Sequence, residues 1–449
     1  MGAVPTLVIL GASGDLTSRL LLPGLGSLLV THPERTVRLV GVGRDAMTDQ
    51  DWRQRIHLAL SAAGVTPECL AAIEQTASYV VADVTAPGDL RRLIELTPPD
   101  ATWYFALPPA VTIGACTRLA GLELPENLFL ALEKPFGTDH ASARSLNELL
   151  RSLVPEERIF RVDHFLGEAM VLNLLGLRFA NRIFEPVWNA VNIDRVEILA
   201  DETLALEGRA GYYDRAGALV DMLQNHLMSI FAMVAMEEPA RIEPTELHDL
   251  MVHLLRAAHV PDGGSRRARY TAGTIRGRAI PSYVEEEGVD PARGTETYAE
   301  LTLHVRNSRW AGVPFTLRSG KALAEHRWAI VLHLKPVAHQ ISGMRDVAVP
   351  NVLTLGLDPA TITLGITTNG AGSTFALENT RLHADLAGSP VMPYGEVLRC
   401  VLDRDHILSV RGDIVEEAWR IIDPVRAAWR GGAVPMEDYP AGSAGPGQA

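Results

Sequence analysis

The 449-residue chain is poor in cysteine, in long apolar runs and in clustered basic charge, and each shortage removes a class of protein. Cys69, Cys116 and Cys400 are far apart, odd in number and in no metal-ligand spacing, so neither a disulfide framework nor a metal site is expected. No uninterrupted apolar stretch approaches the roughly 20 residues of a membrane-crossing helix, and the first residues lack the basic region of a secretory signal. A cytoplasmic protein with no membrane partner is expected. The 41 Lys and Arg are outnumbered by 54 Asp and Glu, a formal charge of −13. That balance argues against nucleic-acid binding, which needs clustered cations to displace counterions. There is no internal repeat. What is present is an ordinary globular composition, 47% hydrophobic and 21% charged, long enough for two or three domains with real cores.

In the first third, short apolar runs at 6–10, 37–42, 79–81, 103–106 and 128–131 alternate with helix-like stretches. This rhythm predicts an α/β domain: a doubly wound parallel sheet with helices on both faces and ligands at the carboxyl ends of its strands. Beyond about residue 185 the pattern changes. A strand at 191–200, a long helix at about 216–235 and alternating runs at 297–305, 328–334 and 352–366 predict an α+β domain with a large, mostly antiparallel sheet. The boundaries expected are 1–165, 166–438 and a disordered Pro/Gly/Ala-rich tail at 439–449.

Several short motifs carry chemistry. GASGDL, residues 11–16, follows the first strand, and its glycines allow a tight turn that brings backbone close to a pyrophosphate at a helix N-terminus. Such a turn can also serve only to pack a helix on a sheet. The second strand ends in Arg44, where an arginine suits the 2′-phosphate of NADP and an acid would suit NAD; Asp45 beside it partly offsets that attraction. Lys134, in LEKPFG at another strand end, is positioned to reach a sugar hydroxyl or equally to sit on the surface. Removal of hydride from an alcohol carbon also requires loss of the hydroxyl proton, so a base of near-neutral pKa is needed. His226 in DMLQNHL fits, with Asp163 a candidate carboxylate to fix its tautomer, although spacing alone does not show that they meet.

Seven collinear segments complete the picture: GASGDL, YFALPP, EKPFG, DHFLGE, RFANRIFEPVWN, EGRAGYYDRAGALVDMLQNHL and PFTLRSGKAL. Their order resembles that of the glucose-6-phosphate dehydrogenases over roughly residues 6–435. The resemblance implies an N-terminal Rossmann domain and a C-terminal α+β domain whose sheet mediates dimer or tetramer contacts. It also implies oxidation of a pyranose C1 hydroxyl to a lactone with NADP, or NAD. It gives His226 the role of base, Asp163 that of its partner, and Lys134 contact with both sugar and nicotinamide. Glu202, Asp221, His164 and Lys321 match sugar contacts; Gly11, Ser13, Gly14, Asp15, Leu16 and Arg44 match dinucleotide contacts.

The departures cluster where relatives hold the substrate phosphate. The family pattern Asp-His-Tyr-x-Gly-Lys reads Asp163-His164-Phe165-Leu166-Gly167-Glu168 here. His326 stands where a second phosphate-binding cation is usual, with Arg327 one step along; Asp358 replaces a glutamine, and Leu20 a lysine. An acid about 4 Å from a phosphate dianion costs several kcal/mol at an effective dielectric near 20. The lost charge-assisted hydrogen bond adds about 1.5–3 kcal/mol. The expected substrate is therefore a sugar without the 6-phosphate, either neutral or carrying an ammonium that Glu168 and Asp358 could pair with. Two other readings stay open: glucose 6-phosphate held by compensating cations, and a paralogue that binds a metabolite without turnover.

Overall fold

The computed structural model describes residues 4–370 and 374–447, which fall into two compact units. The first contains a six-stranded, wholly parallel sheet: β1 (Thr6–Leu10), β2 (Arg38–Gly43), β3 (Ser78–Val81), β4 (Thr102–Phe105), β5 (Phe129–Glu133) and β6 (Ile159–Val162). Its order is β3-β2-β1-β4-β5-β6. Every residue of β1 is buried, as expected of a parallel strand covered on both faces, whose sequence is then continuously apolar. The order reverses between β1 and β4, which creates the crevice where such sheets bind ligands. The sixth strand was not expected from sequence because Arg161 interrupts its apolar run. That guanidinium is fully buried and is satisfied by Glu156 at 2.6 Å and Asn147 at 3.1 Å.

This unit is not the simple stretch 1–165 that the sequence suggested. It also takes in residues 239–249 and 389–416. The helix Pro393–Asp403 packs Tyr394, Val397, Leu398 and Val401 into the same core as Leu7, Ile9, Leu25 and Leu28.

The second unit is built on a ten-stranded mixed sheet. Its strands are β7 (Ile193–Asp201), β8 (Ala258–His259), β9 (Ser265–Thr271), β12 (Tyr298–Val305), β13 (Phe315–Gly320), β14 (Arg327–Leu334), β15 (Val352–Asp358), β16 (Thr361–Asn369), β17 (Leu377–Asp385) and β18 (Met436–Pro440). The short strands β10 (Gly273–Ile275) and β11 (Arg278–Ile280) form a separate hairpin. The order is β17-β16-β15-β14-β7-β13-β12-β9-β18, with β8 on β12. Only β7 with β13 and β9 with β18 pair in parallel. The expected single run 352–366 divides into β15 and β16 at Pro359.

A helical run, Ala210–Ala235, lies against β7, β12 and β13. By length and composition it is apolar enough to cross a membrane, yet 89% of its apolar window is buried inside the protein, as in a core helix. It starts earlier than the expected residue 216 and is broken at Gly217, where φ is 67° and ψ 173°. From Leu219 to Leu227 the backbone is π-helical, an i→i+5 geometry that is rare and frequently found at functional sites.

The expected disordered tail is corrected by the structure over its described part, residues 439–447. Tyr439 is 1% exposed within β18, and the chain then returns to donate from Gly442 N to the Ala322 carbonyl at 2.8 Å. One large buried aromatic outweighs the surrounding Pro/Gly/Ala composition, which masked it in the sequence.

Candidate active site

In the first unit, β1 ends at Gly11, whose φ is +95°. A Cβ there would lie 2.2 Å from the carbonyl oxygen of Ala106, so only glycine lets the two strand ends approach this closely. Gly11, Ser13, Gly14, Arg44 and Asp45 line a cavity of about 250 Å³ at the carboxyl ends of β1, β2 and β4. Leu16 instead packs on the core and Asp15 is exposed; neither lines the cavity. The close backbone approach, the following helix and Arg44 at the rim suit a dinucleotide with a phosphate on its ribose.

Two further strand ends complete this side. Lys134 follows β5 directly. Its neighbour Glu133 accepts a 2.5 Å hydrogen bond from the Tyr104 hydroxyl, and burial pushes its carboxyl up to about 7, opposed by the hydrogen bonds from Tyr104 and Tyr394 and by the charge of Lys134. Asp163 follows β6 and is 2% exposed; its Oδ1 accepts from the Phe165 amide at 3.1 Å, which fixes the carboxylate as a helical cap. The His164 ring stacks on Tyr394 with centroids 5.1 Å apart and planes 13° from parallel. Phe165 is 5% exposed, and Glu168 is half-buried.

The second unit gathers acids and a lysine around one aromatic ring. Lys321 Nζ lies 2.5 Å from Glu202 Oε2 and 5.0 Å from the centroid of the Tyr213 ring. Burial holds the Tyr213 hydroxyl well above its usual value, with Asp221 and Glu202 adding their negative charge. Tyr212 donates its hydroxyl to Asp221. The end of β7 is fixed by Asp201, which pairs with Arg318. Lys321 is held from behind, because the Tyr439 hydroxyl donates to its carbonyl at 2.6 Å. Glu202 and Lys321 thus pair beside Tyr213, with the Asp221 carboxylate near the same side chain. His226 is 1% exposed and sits on the same π-helical segment, five residues after Asp221 and so one hydrogen-bonded ring further on. His326 and Asp358 pair with each other at 3.6 Å across β14 and β15, and both are exposed.

Sequence reasoning missed Tyr104, Glu133, Tyr394, Tyr212 and Tyr213. Glu133 stood in the EKPFG motif itself, and an acid at a strand end beside a candidate catalytic lysine was the available signal.

A glycine turn at the switch point of a parallel sheet, followed by lysine and carboxylate at later strand ends, defines a dinucleotide-dependent dehydrogenase. The family model described as the NAD binding domain of glucose-6-phosphate dehydrogenase matches residues 8–173, and the model of its C-terminal domain matches residues 175–449. The chain is 37% identical over 471 residues to the glucose-6-phosphate 1-dehydrogenase of Treponema pallidum, covering 98% of this chain and 92% of the relative. A crystal structure of the Mycobacterium avium enzyme is similar with a TM-score of 0.85 at 32% identity, over 99% of this chain and 95% of that one. A glucose-6-phosphate dehydrogenase solved with glucose-6-phosphate bound is similar with a TM-score of 0.88 at 28% identity, over 100% and 97% of the two chains. The chain belongs to the glucose-6-phosphate dehydrogenase family. Its cofactor is accordingly a nicotinamide dinucleotide, and Arg44 in the cavity suits NADP.

Proposed function

We propose that this dehydrogenase oxidises the C1 hydroxyl of a hexopyranose to the 1,5-lactone with NADP+, and that its sugar lacks a 6-phosphate. The observation that carries the chemistry is the cluster of Glu202, Lys321 and Asp221 around Tyr213, of which Asp221 stands on the π-helical segment that also bears His226. Paired donors and acceptors of this kind hold vicinal sugar hydroxyls in one orientation. His226 takes the C1 hydroxyl proton as the C1 hydride leaves for the dinucleotide, so C1 is oxidised by two electrons to the carbonyl carbon of the lactone and the ring oxygen remains as its ester oxygen. The nicotinamide supplies the hydride acceptor. Asp163, fixed in direction by the Phe165 amide, is the proposed partner of the base, and Lys134 the contact shared by sugar and cofactor.

The absence of a 6-phosphate is supported by Glu168 in place of lysine, by buried Phe165 in place of tyrosine, and by the pairing of His326 with Asp358. The second reading is glucose 6-phosphate itself. Arg327 beside His326, and the activity named for relatives such as the Treponema pallidum enzyme, favour it.

Reduction of NADP+ at 340 nm over glucose 6-phosphate, glucose and amino sugars decides between them. The expected result is a higher kcat/KM for an unphosphorylated sugar. A clearly higher value for glucose 6-phosphate gives the second reading, and no turnover on any sugar gives a metabolite-binding protein. We further propose a cytoplasmic homodimer or homotetramer; light scattering at micromolar concentration tests the oligomer.

A further inference from the structure

A second polar cavity, of about 500 Å³, opens in the second unit, and none of the candidate catalytic or sugar-binding residues lines it. Five arginines do: Arg215, Arg267, Arg293, Arg426 and Arg430. Two carboxylates line it with them, Asp214 and Glu296, while Asp290 and Asp423 pair with Arg293 and Arg426 at 3.8 and 3.5 Å, so five guanidiniums face four carboxylates in a chain whose net charge is −13. A concentration of guanidinium against the sign of the whole molecule attracts anions to that spot.

Both lining carboxylates are already occupied. Asp214 accepts from the Tyr283 hydroxyl at 2.8 Å, from the Asp290 amide at 3.0 Å and from Arg293 at 2.5 Å. Glu296 is 8% exposed and accepts from the Leu219 amide at 3.0 Å. Arg426 pairs with Asp423 at 3.5 Å. Arg215, Arg267 and Arg430 have no carboxylate within 4.0 Å among the described residues. Arg267 is held in place rather than waving in solvent: its Nε and one terminal nitrogen donate to the Val434 carbonyl at 3.1 and 2.9 Å, and its guanidinium lies 5.7 Å from the Trp429 ring. One edge of the fork is therefore spent on the fold and the other is left for a ligand. Arg426 and Arg430 are one helical turn apart at the end of the helix Gly412–Arg430.

We propose that this cavity binds a pyrophosphate-type anion, such as a small polyphosphate or the diphosphate of a phosphorylated metabolite. Its three unpaired guanidiniums match an anion of several charges, its volume exceeds that of a single phosphate, and planar forks are the side chains best suited to phosphoryl oxygens. The cavity also touches the element that carries the proposed chemistry. Ala216, Leu219 and Val220 line it, and they flank Gly217 and lead directly into Asp221. An occupant would rest against the first turn of the helical segment that bears Asp221 and His226 and would restrain it. The site stands independently of which sugar is oxidised.

The test uses the full chain with inorganic pyrophosphate as probe, titrated calorimetrically at low salt with NADP+ saturating so that the dinucleotide cavity is filled. One pyrophosphate is expected to bind per chain, to weaken as NaCl is added, and to lose about tenfold or more in affinity in the double variant Arg215→Glu, Arg430→Glu. Turnover of that variant without pyrophosphate is expected to match the parent, which shows it to be folded. Hydrogen exchange should slow on binding at 216–221 and 426–430. Absence of binding with NADP+ saturating, unchanged affinity in the variant, or protection confined to other segments each overturns the proposal.

Discussion

At the scale of single residues, function rests on a few groups whose surroundings are unusual for their chemistry. If His226 is the base, His226→Asn lowers kcat by about 10²–10⁴ while leaving NADP binding intact, which 340 nm kinetics and fluorescence titration separate. Equal loss of cofactor binding would show a structural residue instead. Arg44→Ser should raise the KM for NADP about tenfold or more and leave that for NAD nearly unchanged, because only the former has a 2′-phosphate to lose. Glu133 makes a pH prediction. Its carboxyl titrates near 4.5 in an unfolded chain and about 7 in the fold, so between those values the folded form holds a proton that the unfolded form has released. Stability is full below 4.5, declines as pH rises through that window, and is lower by about 3 kcal/mol above it. Glu133→Gln removes this dependence: the variant should gain on the parent in urea melts at pH 8 and not at pH 4, and parallel pH profiles would refute the assignment.

At the scale of elements, the decisive one is the helical run Ala210–Ala235, and its break is set by one residue. A Cβ on Gly217 would fall 2.2 Å from Glu296 Oε1, on a backbone with φ of 67°. Gly217→Ala is expected to cost more than about 1 kcal/mol in denaturant melts and to lower kcat, because the turn that starts the π-helical segment must shift. Unchanged stability would mean the hinge is looser than its geometry. Much of this scale was legible in sequence. Strands β1 to β5, β7, β12 and β14 stood out as apolar runs closed by turn residues, and the glycine turn after β1 was readable from GASGDL. The elements that escaped did so for stated reasons. Arg161 hid β6, since a buried cation is legible only through its partners Glu156 and Asn147. The tyrosines of the site escaped because an aromatic residue reads as core until a carboxylate such as Glu133 or Asp221 is placed against its hydroxyl.

At the scale of the whole molecule, the chain departs from a bead-on-string arrangement. The first unit borrows residues 239–249 and 389–416, and the borrowed helix Pro393–Asp403 supplies Tyr394 to both its core and the Glu133 carboxyl. A fragment of residues 1–168 alone therefore lacks a wall of its own core. It is expected to show weak near-ultraviolet circular dichroism and to bind ANS, whereas the full chain does neither; a native-like spectrum from the fragment would contradict this. Long-range borrowing of this kind leaves no periodic signature, which is why a boundary at 165 was the natural sequence reading.

The parallel pairing of β18 with β9 has a consequence for how the protein comes into being. Some 165 residues of intervening chain separate the two partners, and Tyr439 in β18 pins the carbonyl of Lys321. A ribosome must therefore carry synthesis past Tyr439 before the floor beneath Lys321 and Glu202 exists. Until then Tyr270 and Tyr298, which share that core, face an unfilled groove, and a nascent chain stalled short of this point would be a client for chaperones rather than a slow enzyme.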